Sequence, residues 1–178
     1  MGVIQIMILT ETDLINNYQL LPHPEGGYYK ETYRAGEVIQ KDSLPLRYQG
    51  DRLFSTAIYY LLGSGDFSAF HRIKSDETWH FYAGVALNIY VLHPKGRFEL
   101  VTMGGRPDLG QLFQATIKAG HWFAAQPTDP EGFSFLGCTV APGFEFDDFE
   151  LAKAEELLAL YPEQEVLIRR FCKQEQDV

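Results

Sequence analysis

The chain has 178 residues, which fits one domain with a full hydrophobic core. Its formal net charge of −9 argues against nucleic acid or an anionic membrane surface as the main partner, because both are bound through basic patches. No segment approaches the ~18 continuous apolar residues of a transmembrane helix. The apolar start of the chain lacks the basic residues and the cleavage site of a signal peptide, so we expect a cytoplasmic protein.

The N-terminal segment, residues 1–21, is expected to contain a short helix. Thr10 or Thr12 can cap this helix, and Pro22 and Pro24 end it. Its apolar face is predicted to consist of Leu14, Ile15, Tyr18 and Leu21.

Short strands separated by Gly and Pro turns are predicted for most of residues 22–147. Gly26-Gly27 leads into a strand over residues 28–34. The later strands are predicted at residues 54–62, 68–73, 77–82, 86–92, 98–103, 111–117, 122–125 and 133–140. This many short strands with such turns predicts a β-sandwich or β-barrel.

Residues 148–178 are predicted to be helical. One helix is expected over Glu150–Leu160, and a second over Pro162–Cys172 begins at a favourable position for proline. The first of these helices has an acidic outer face, which indicates a solvated lid that carries no chemistry.

The stretch from Gly65 to Gly84 carries most of the functional signal. Strand side chains alternate between faces, so Glu77 shares one face with Trp79 and Phe81, whereas His80 and Tyr82 lie on the other. A carboxylate beside Trp and Phe on an inward face has lost much of its water. It therefore needs a histidine or metal partner, or its pKa rises.

The spacing of Gly65, His71, Glu77 and Gly84 resembles the first signature of the cupin family, with Ile73 where that signature has a second His. Residues 118–127 resemble the second cupin signature, with Phe123 where the fourth metal-ligating residue, a His, is expected. Four longer segments are similar to a widespread branch of single-domain cupins, namely residues 22–34, 55–62, 70–80 and 137–150.

The resemblance implies that residues 1–178 form a single cupin domain. Its fold would be all-β with flanking helices: a double-stranded β-helix, or jelly-roll barrel, over residues 22–147, with the terminal helices packed outside it. The resemblance also implies a homodimer whose strands cross between subunits, and His80 and Tyr82 are candidates for the subunit interface.

His71 and Glu77 are predicted to be the catalytic residues, because consecutive strands would bring them together inside the barrel. A histidine beside a carboxylate stays basic and correctly oriented near neutral pH, as a general base requires. The alternative is a residual polar pair in a barrel that has lost its site.

A metal cofactor is not expected, since two of the four ligands usual in cupins are missing. A metal held by His71, Glu77 and a third ligand, His80 or His121, is the alternative, because catalytic metal sites normally hold three protein ligands. Against it, His80 lies on the opposite strand face from Glu77, and His121 precedes the motif position held by Phe123 by two residues.

Tyr29, Glu31 and Arg34 are predicted to bind ligand. They lie in a segment similar to the Arg-Gly-Phe-Phe-x-Glu segment of cupins that epimerise dTDP-linked keto sugars, in which Glu31 matches the Glu and His71 matches that family's base. The chain departs from that family around His71 and has no Lys at position 77. The alternative for this segment is an amphipathic strand at the rim or at a dimer interface.

The aromatic residues Trp79, Phe81 and Phe123 are either core residues or a stacking wall for a ring-bearing ligand. Together these patterns favour a metal-independent isomerase or epimerase that acts on a small polar molecule, including a sugar- or nucleotide-linked one. A metal-dependent dioxygenase or lyase and a non-catalytic binding or storage-like module are the alternatives.

Overall fold

A computed structural model describes residues 9–173. The apolar segment at the very start of the chain lies outside the described residues. The helices are α1 (Glu11–Tyr18), α2 (Ala154–Leu160) and α3 (Glu165–Phe171). The strands are β1 (Leu21–Pro22), β2 (Tyr28–Arg34), β3 (Val38–Ile39), β4 (Arg52–Leu53), β5 (Thr56–Leu62), β6 (Ser68–Ile73), β7 (Asp76–Gly84), β8 (Leu87–Leu92), β9 (Phe98–Met103), β10 (Gln114–Ile117), β11 (Trp122–Pro127), β12 (Ser134–Ala141) and β13 (Phe149–Leu151).

Two antiparallel sheets form the body of the molecule. One has six strands in the order β1-β2-β5-β12-β7-β10, and the other has five in the order β13-β6-β11-β8-β9. Consecutive strands β6 and β7 belong to different sheets, so the chain crosses from one sheet to the other between them. This arrangement, with helices on the outside, confirms the predicted all-β jelly-roll fold.

The inner faces of the two sheets pack against each other over part of their length. The largest buried members of this core include Tyr60, Trp79, Leu87, Ile89 and Phe123. They come from both sheets and alternate with outward-facing neighbours along each strand, as the period of two requires.

The helices cover the outer faces of the sheets. Leu157, Ile168 and Phe171 of α2 and α3 pack on Phe70 and Trp122 of the five-stranded sheet. On the six-stranded sheet, Leu14 of α1 packs against Leu61 and Phe135. Thr10 caps α1 through a capping box with Asp13, which satisfies exposed N–H groups of the first turn. No helix within residues 9–173 is long and apolar enough to cross a membrane.

Two local predictions were wrong. Leu21 was expected on the helical face, but α1 ends at Tyr18 because Gln19 takes a left-handed conformation, and Leu21 lies exposed in β1. The first C-terminal helix was expected from Glu150, but Phe149–Leu151 forms β13 and pairs with β6, so helix begins only at Ala154. Residues 148–178 are therefore not purely helical.

Candidate functional site

A cavity of about 260 Å³ lies between the sheets, at the end of the barrel where β6 passes into β7. Its inner part is lined by Glu25, His71 and Glu77, and its mouth by Glu31, Arg34 and Glu145. Aromatic rings complete its wall, contributed by Tyr29, Tyr60, Phe144, Phe146 and Phe149.

Glu25 lies in the loop between β1 and β2, and its side chain lines the cavity. Gly26 has a φ of +123°, and a Cβ atom there would overlap the carbonyl oxygen of Phe67. Only glycine permits this backbone conformation and this close approach. The loop therefore reaches the start of β6, where the Glu25 carbonyl accepts a hydrogen bond from the Ala69 N–H at 2.9 Å.

His71 is held by oxygen atoms on both sides of its ring. Its Nδ1 lies 2.8 Å from the carbonyl oxygen of Ala69, and its Nε2 lies 3.2 Å from Oε2 of Glu25. The ring also packs against Phe123, with the ring centroids 4.1 Å apart. His71 is 2% exposed and Glu25 is 5% exposed, so both side chains are buried. Each ring nitrogen therefore has an oxygen atom of the protein beside it that can accept a hydrogen bond.

Glu25 has further partners besides His71. Its Oε1 accepts a hydrogen bond from Ser68 Oγ at 2.9 Å. The ring of His23 lies beside it, with Nδ1 3.4 Å from Oε2 of Glu25, and burial lowers the pKa of His23. The neutral His23 ring also packs edge-on against Tyr29, with centroids 4.8 Å apart.

The environment of Glu77 differs from that of Glu25, because Glu77 has no histidine partner among the described residues. Burial, and then the charge of Glu25, raise the pKa of Glu77 to about 8. No Lys, Arg or His of the described chain forms a salt bridge with it. At neutral pH Glu77 is therefore mostly the neutral acid, which can donate a proton.

The mouth of the cavity is formed by an ion-pair network. The Arg34 Nε donates to Glu31 at 3.0 Å, and its Nη1 donates to Glu145 at 2.9 Å. These bonds raise the pKa of Arg34 further, so the guanidinium is charged at any physiological pH. The network links β2 to the segment that carries Phe144 and Phe146.

Five of the predicted residues line the cavity, namely Tyr29, Glu31, Arg34, His71 and Glu77. The partner of His71 is Glu25, whereas the sequence analysis had paired it with Glu77. Trp79 and Phe123 are each 1% exposed and belong to the core between the sheets, and Phe81 packs against that core. The core interpretation therefore describes these three aromatic residues, and none of them is on the cavity wall.

Three further residues line the cavity that the sequence patterns did not predict there: His23, Glu25 and Phe149. Glu25 lies between Pro24 and Gly26, where a charged side chain is typical of a solvated turn. The available signal was the Gly-Gly pair beside a carboxylate, since two adjacent glycines indicate a close backbone approach. Phe149 directly precedes the helix that is predicted over Glu150–Leu160, so no sequence pattern placed it in a cavity.

The side chains at this site do not fit a metal centre. His80 points to the outer face of its sheet, where its Nε2 lies 3.0 Å from Oγ1 of Thr139. His121 contacts His93 at 3.0 Å, away from the cavity. Within residues 9–173 no group of three or more His, Cys, Asp or Glu is arranged to hold a metal ion. The apolar Ile73 and Phe123 stand at the two remaining ligand positions, so no catalytic step is derived through a metal.

Two facing antiparallel sheets around a polar cavity define a cupin-type barrel. The chain belongs to the cupin superfamily (DUF985), since that family's model matches residues 12–152. It is 29% identical over 154 residues to the uncharacterized protein YML079W of Saccharomyces cerevisiae, covering 82% of this chain and 76% of that protein.

Solved structures agree with this assignment. The Shewanella oneidensis protein SO0799 is 34% identical, with a TM-score of 0.85 over 94% of this chain and 100% of that one. A hypothetical protein from Leishmania major is 32% identical, with a TM-score of 0.82 over 93% of this chain and 100% of that one. The oxalate decarboxylase of Lactobacillus farciminis, in a formate complex, is 16% identical, with a TM-score of 0.51 over 98% of this chain and 46% of that one. This last similarity concerns the fold alone.

Proposed function

We propose that the barrel cavity binds a small polar carbonyl compound and transfers protons on it without a metal, as an isomerase or epimerase does. One observation carries this proposal: in the cavity the Nε2 of His71 lies 3.2 Å from the carboxylate of Glu25, beside a second carboxyl group, Glu77, whose pKa burial raises to about 8. Two titratable groups with opposite proton preferences in one cavity are the pattern of an acid and a base.

The reaction type follows from these two functions. Moving a hydrogen next to a carbonyl requires a base that removes the proton from carbon and an acid that returns one at another position or face. The group centred on His71 supplies the base, and Glu77 supplies the acid. Neither step needs an oxidant or a reductant.

The dimensions and charges of the cavity limit the ligand. About 260 Å³ is slightly below the ~300–1,000 Å³ of typical ligand pockets, which favours a compound the size of one sugar ring inside the barrel. Arg34 is the sole Lys or Arg among the described residues that line the cavity. A phosphate or nucleotide part of a ligand would therefore bind at the mouth, in competition with Glu31 and Glu145.

Hydrogen exchange in D₂O tests this proposal. The protein is incubated with aldoses, ketoses, their phosphates and nucleotide-linked keto sugars, and proton NMR follows the loss of signals next to the carbonyl. We expect exchange with at least one compound class, and a decrease of ~10²–10⁴-fold in His71→Ala and in Glu77→Gln, the usual contribution of acid–base residues. Glu150→Gln, which changes an exposed carboxylate outside the cavity, is the matched control.

Two outcomes would contradict the proposal. Exchange that is equally fast in His71→Ala removes the acid–base assignment. A compound that binds tightly and shows no exchange after prolonged incubation identifies a non-catalytic binding module.

We also propose that the protein is a cytoplasmic homodimer. Cys138 and Cys172 are both buried free thiols, as expected in a reducing compartment. On the outer face of the six-stranded sheet, Tyr82 is 51% exposed and lies beside Tyr59, with ring centroids 6.1 Å apart. Exposed aromatic residues on a sheet face are typical of subunit interfaces.

A further inference from the structure

The atoms of the His71–Glu25 pair that can reach a ligand belong to Glu25. The Nδ1 of His71 lies 2.8 Å from the Ala69 carbonyl oxygen, and its Nε2 lies 3.2 Å from Oε2 of Glu25, so an oxygen atom of the protein stands beside each ring nitrogen. A base must have an atom within hydrogen-bond reach of the proton that it removes. The Glu25 carboxylate has two oxygens with several acceptor positions, and it lines the cavity.

We propose that Glu25 is the catalytic base of the cavity and that His71 is a positioning residue, which holds the Glu25 carboxylate in place and balances its charge. This inference rests on the proposed proton-transfer function. His71, which the sequence pattern singles out, is then a positioning residue. The base is Glu25, which lies in the turn that contains Gly26 and Gly27.

Glu25 and Glu77, the two buried carboxyl groups of the cavity, have different neighbours, and this difference is the basis for giving them different roles. Glu25 accepts a hydrogen bond from Ser68 at 2.9 Å and lies 3.2 Å from the Nε2 of His71, so both of its carboxylate oxygens have polar neighbours. Glu77 has no cationic partner within the described chain, so it keeps its proton. Two carboxyl groups that influence each other in this way divide into one base and one acid.

The chemical step balances with these groups alone. The Glu25 carboxylate takes a proton from the carbon next to the carbonyl, and the electron pair of that C–H bond moves into the carbonyl group to give an enolate. Glu77 then gives its proton to the carbon from its own side of the cavity, and the electron pair returns to form the new C–H bond. Glu25 is left protonated and Glu77 ionised, and proton exchange with water restores both.

The test compares Glu25→Gln and Glu25→Asp with the wild-type protein in the D₂O exchange assay, using whichever sugar compound the wild-type protein exchanges. We expect Glu25→Gln to lose at least ~10²-fold in exchange rate while the compound still binds, as seen by ligand-observed NMR. Glu25→Asp keeps a carboxylate on a shorter side chain, so it should recover part of the rate. Circular dichroism and thermal unfolding establish that each variant is folded.

A second measurement needs no substrate. In ¹⁵N-labelled protein, we expect the Nε2 of His71 to carry a proton directed at Glu25, and the ¹⁵N signal of Nε2 to shift more than that of Nδ1 in Glu25→Gln. An unprotonated Nε2 in the wild-type protein would make His71 the free base and overturn the inference.

The two proposals fail in different ways. If the wild-type protein exchanges none of the sugar compounds, the proton-transfer function is rejected, and the Glu25 assignment with it. If the wild type exchanges a compound and Glu25→Gln exchanges it at the same rate, the function stands and the assignment of Glu25 is rejected.

Discussion

Glu25 and Glu77 are two glutamates buried in one cavity, and their side chains have different neighbours. Glu25 has a hydroxyl group and an imidazole beside its carboxylate oxygens. Glu77 is buried in the inner part of the cavity, and the charge of Glu25 adds to the effect of burial in raising the pKa of Glu77. Residue type alone does not distinguish the two side chains, so their different surroundings are a product of the fold.

The raised pKa of Glu77 makes the stability of the protein depend on pH. The pKa of Glu77 is about 8 in the fold and 4.5 in its absence, so the folded state binds this proton more tightly than the unfolded state. The resulting stabilisation is fully present below about pH 4.5 and is lost as the pH rises towards about 8. With about 1.4 kcal/mol per pKa unit, the loss is at most about 5 kcal/mol.

Glu77→Gln should not lose stability in this way as the pH rises, because an amide does not ionise. We expect the free energy of unfolding of Glu77→Gln, relative to the wild type, to increase from about pH 5 to about pH 8, in urea titrations at several pH values. Glu150→Gln, a change at an exposed carboxylate, should give a much smaller change with pH. A constant difference between Glu77→Gln and the wild type would mean that Glu77 is ionised throughout this range.

Part of the site could be predicted from the sequence. The spacing of His71 and Glu77 in alternating strands indicated two polar side chains inside the barrel, and both line the cavity. Glu25 could not be found in this way. Its burial depends on the contact between its loop and the start of β6, more than 40 residues later in the chain. Local pattern gives no information about such a contact.

At the scale of elements, the same distinction between local and distant interactions explains the C-terminal error. Residues 149–160 are rich in Glu, Leu and Ala, which favours helix. Phe149–Leu151 nevertheless forms strand β13, because its backbone hydrogen bonds are made with β6, and Phe149 pairs there with Ile73. The strands with clear alternation and flanking turns were predicted to within a few residues, since their signal is local.

A buried ion pair fixes the segment that leads into β13. Arg52 of β4 donates to Asp148 through Nε at 2.6 Å, and the side chains are 5% and 2% exposed. Lys74 also contacts Asp148, at 3.2 Å. Because this segment carries Phe146 and Phe149 on the cavity wall, the ion pair positions part of the site.

Arg52→Met should be strongly destabilising, since it leaves the Asp148 carboxylate buried with Lys74 as its remaining cation. We expect the free energy of unfolding to fall by about 3 kcal/mol, the lower end of the range for breaking a buried pair. Arg106→Met is the matched control. The Arg106–Asp108 pair is 62% and 60% exposed, so its loss should have little effect on stability. Equal effects of the two substitutions in denaturant titrations would contradict this account.

At the scale of the whole molecule, the two ends of the barrel differ. One part of the space between the sheets is filled by large side chains such as Trp79 and Phe123, and the other part remains open as the cavity. The packed part supports the walls of the open part, as the contact of Phe123 with the ring of His71 illustrates. The jelly-roll fold was predictable because many strands and a family resemblance agreed. The division into packed and open parts depends on tertiary contacts.

The outer face of the six-stranded sheet leads to the last prediction. Tyr18, Tyr59, Tyr82 and Phe135 form an aromatic cluster on this face, and Tyr82 is 51% exposed. If a second copy covers this cluster in the proposed homodimer, Tyr82→Lys should place a charge in an apolar contact and dissociate the dimer. Light scattering after gel filtration should then give a mass near 20.3 kDa, and twice that value for the wild type.

Val166→Lys is the control for the dimer, because Val166 is 81% exposed on α3, a helix that packs on the other sheet. It introduces the same charge and should leave the dimer intact. Dissociation by Val166→Lys and not by Tyr82→Lys would move the interface to the helical side of the molecule. A wild-type protein with the mass of one chain at all concentrations would reject the dimer. Tyr82 would then be an exposed aromatic residue of a monomer, and the cavity would function within a single subunit.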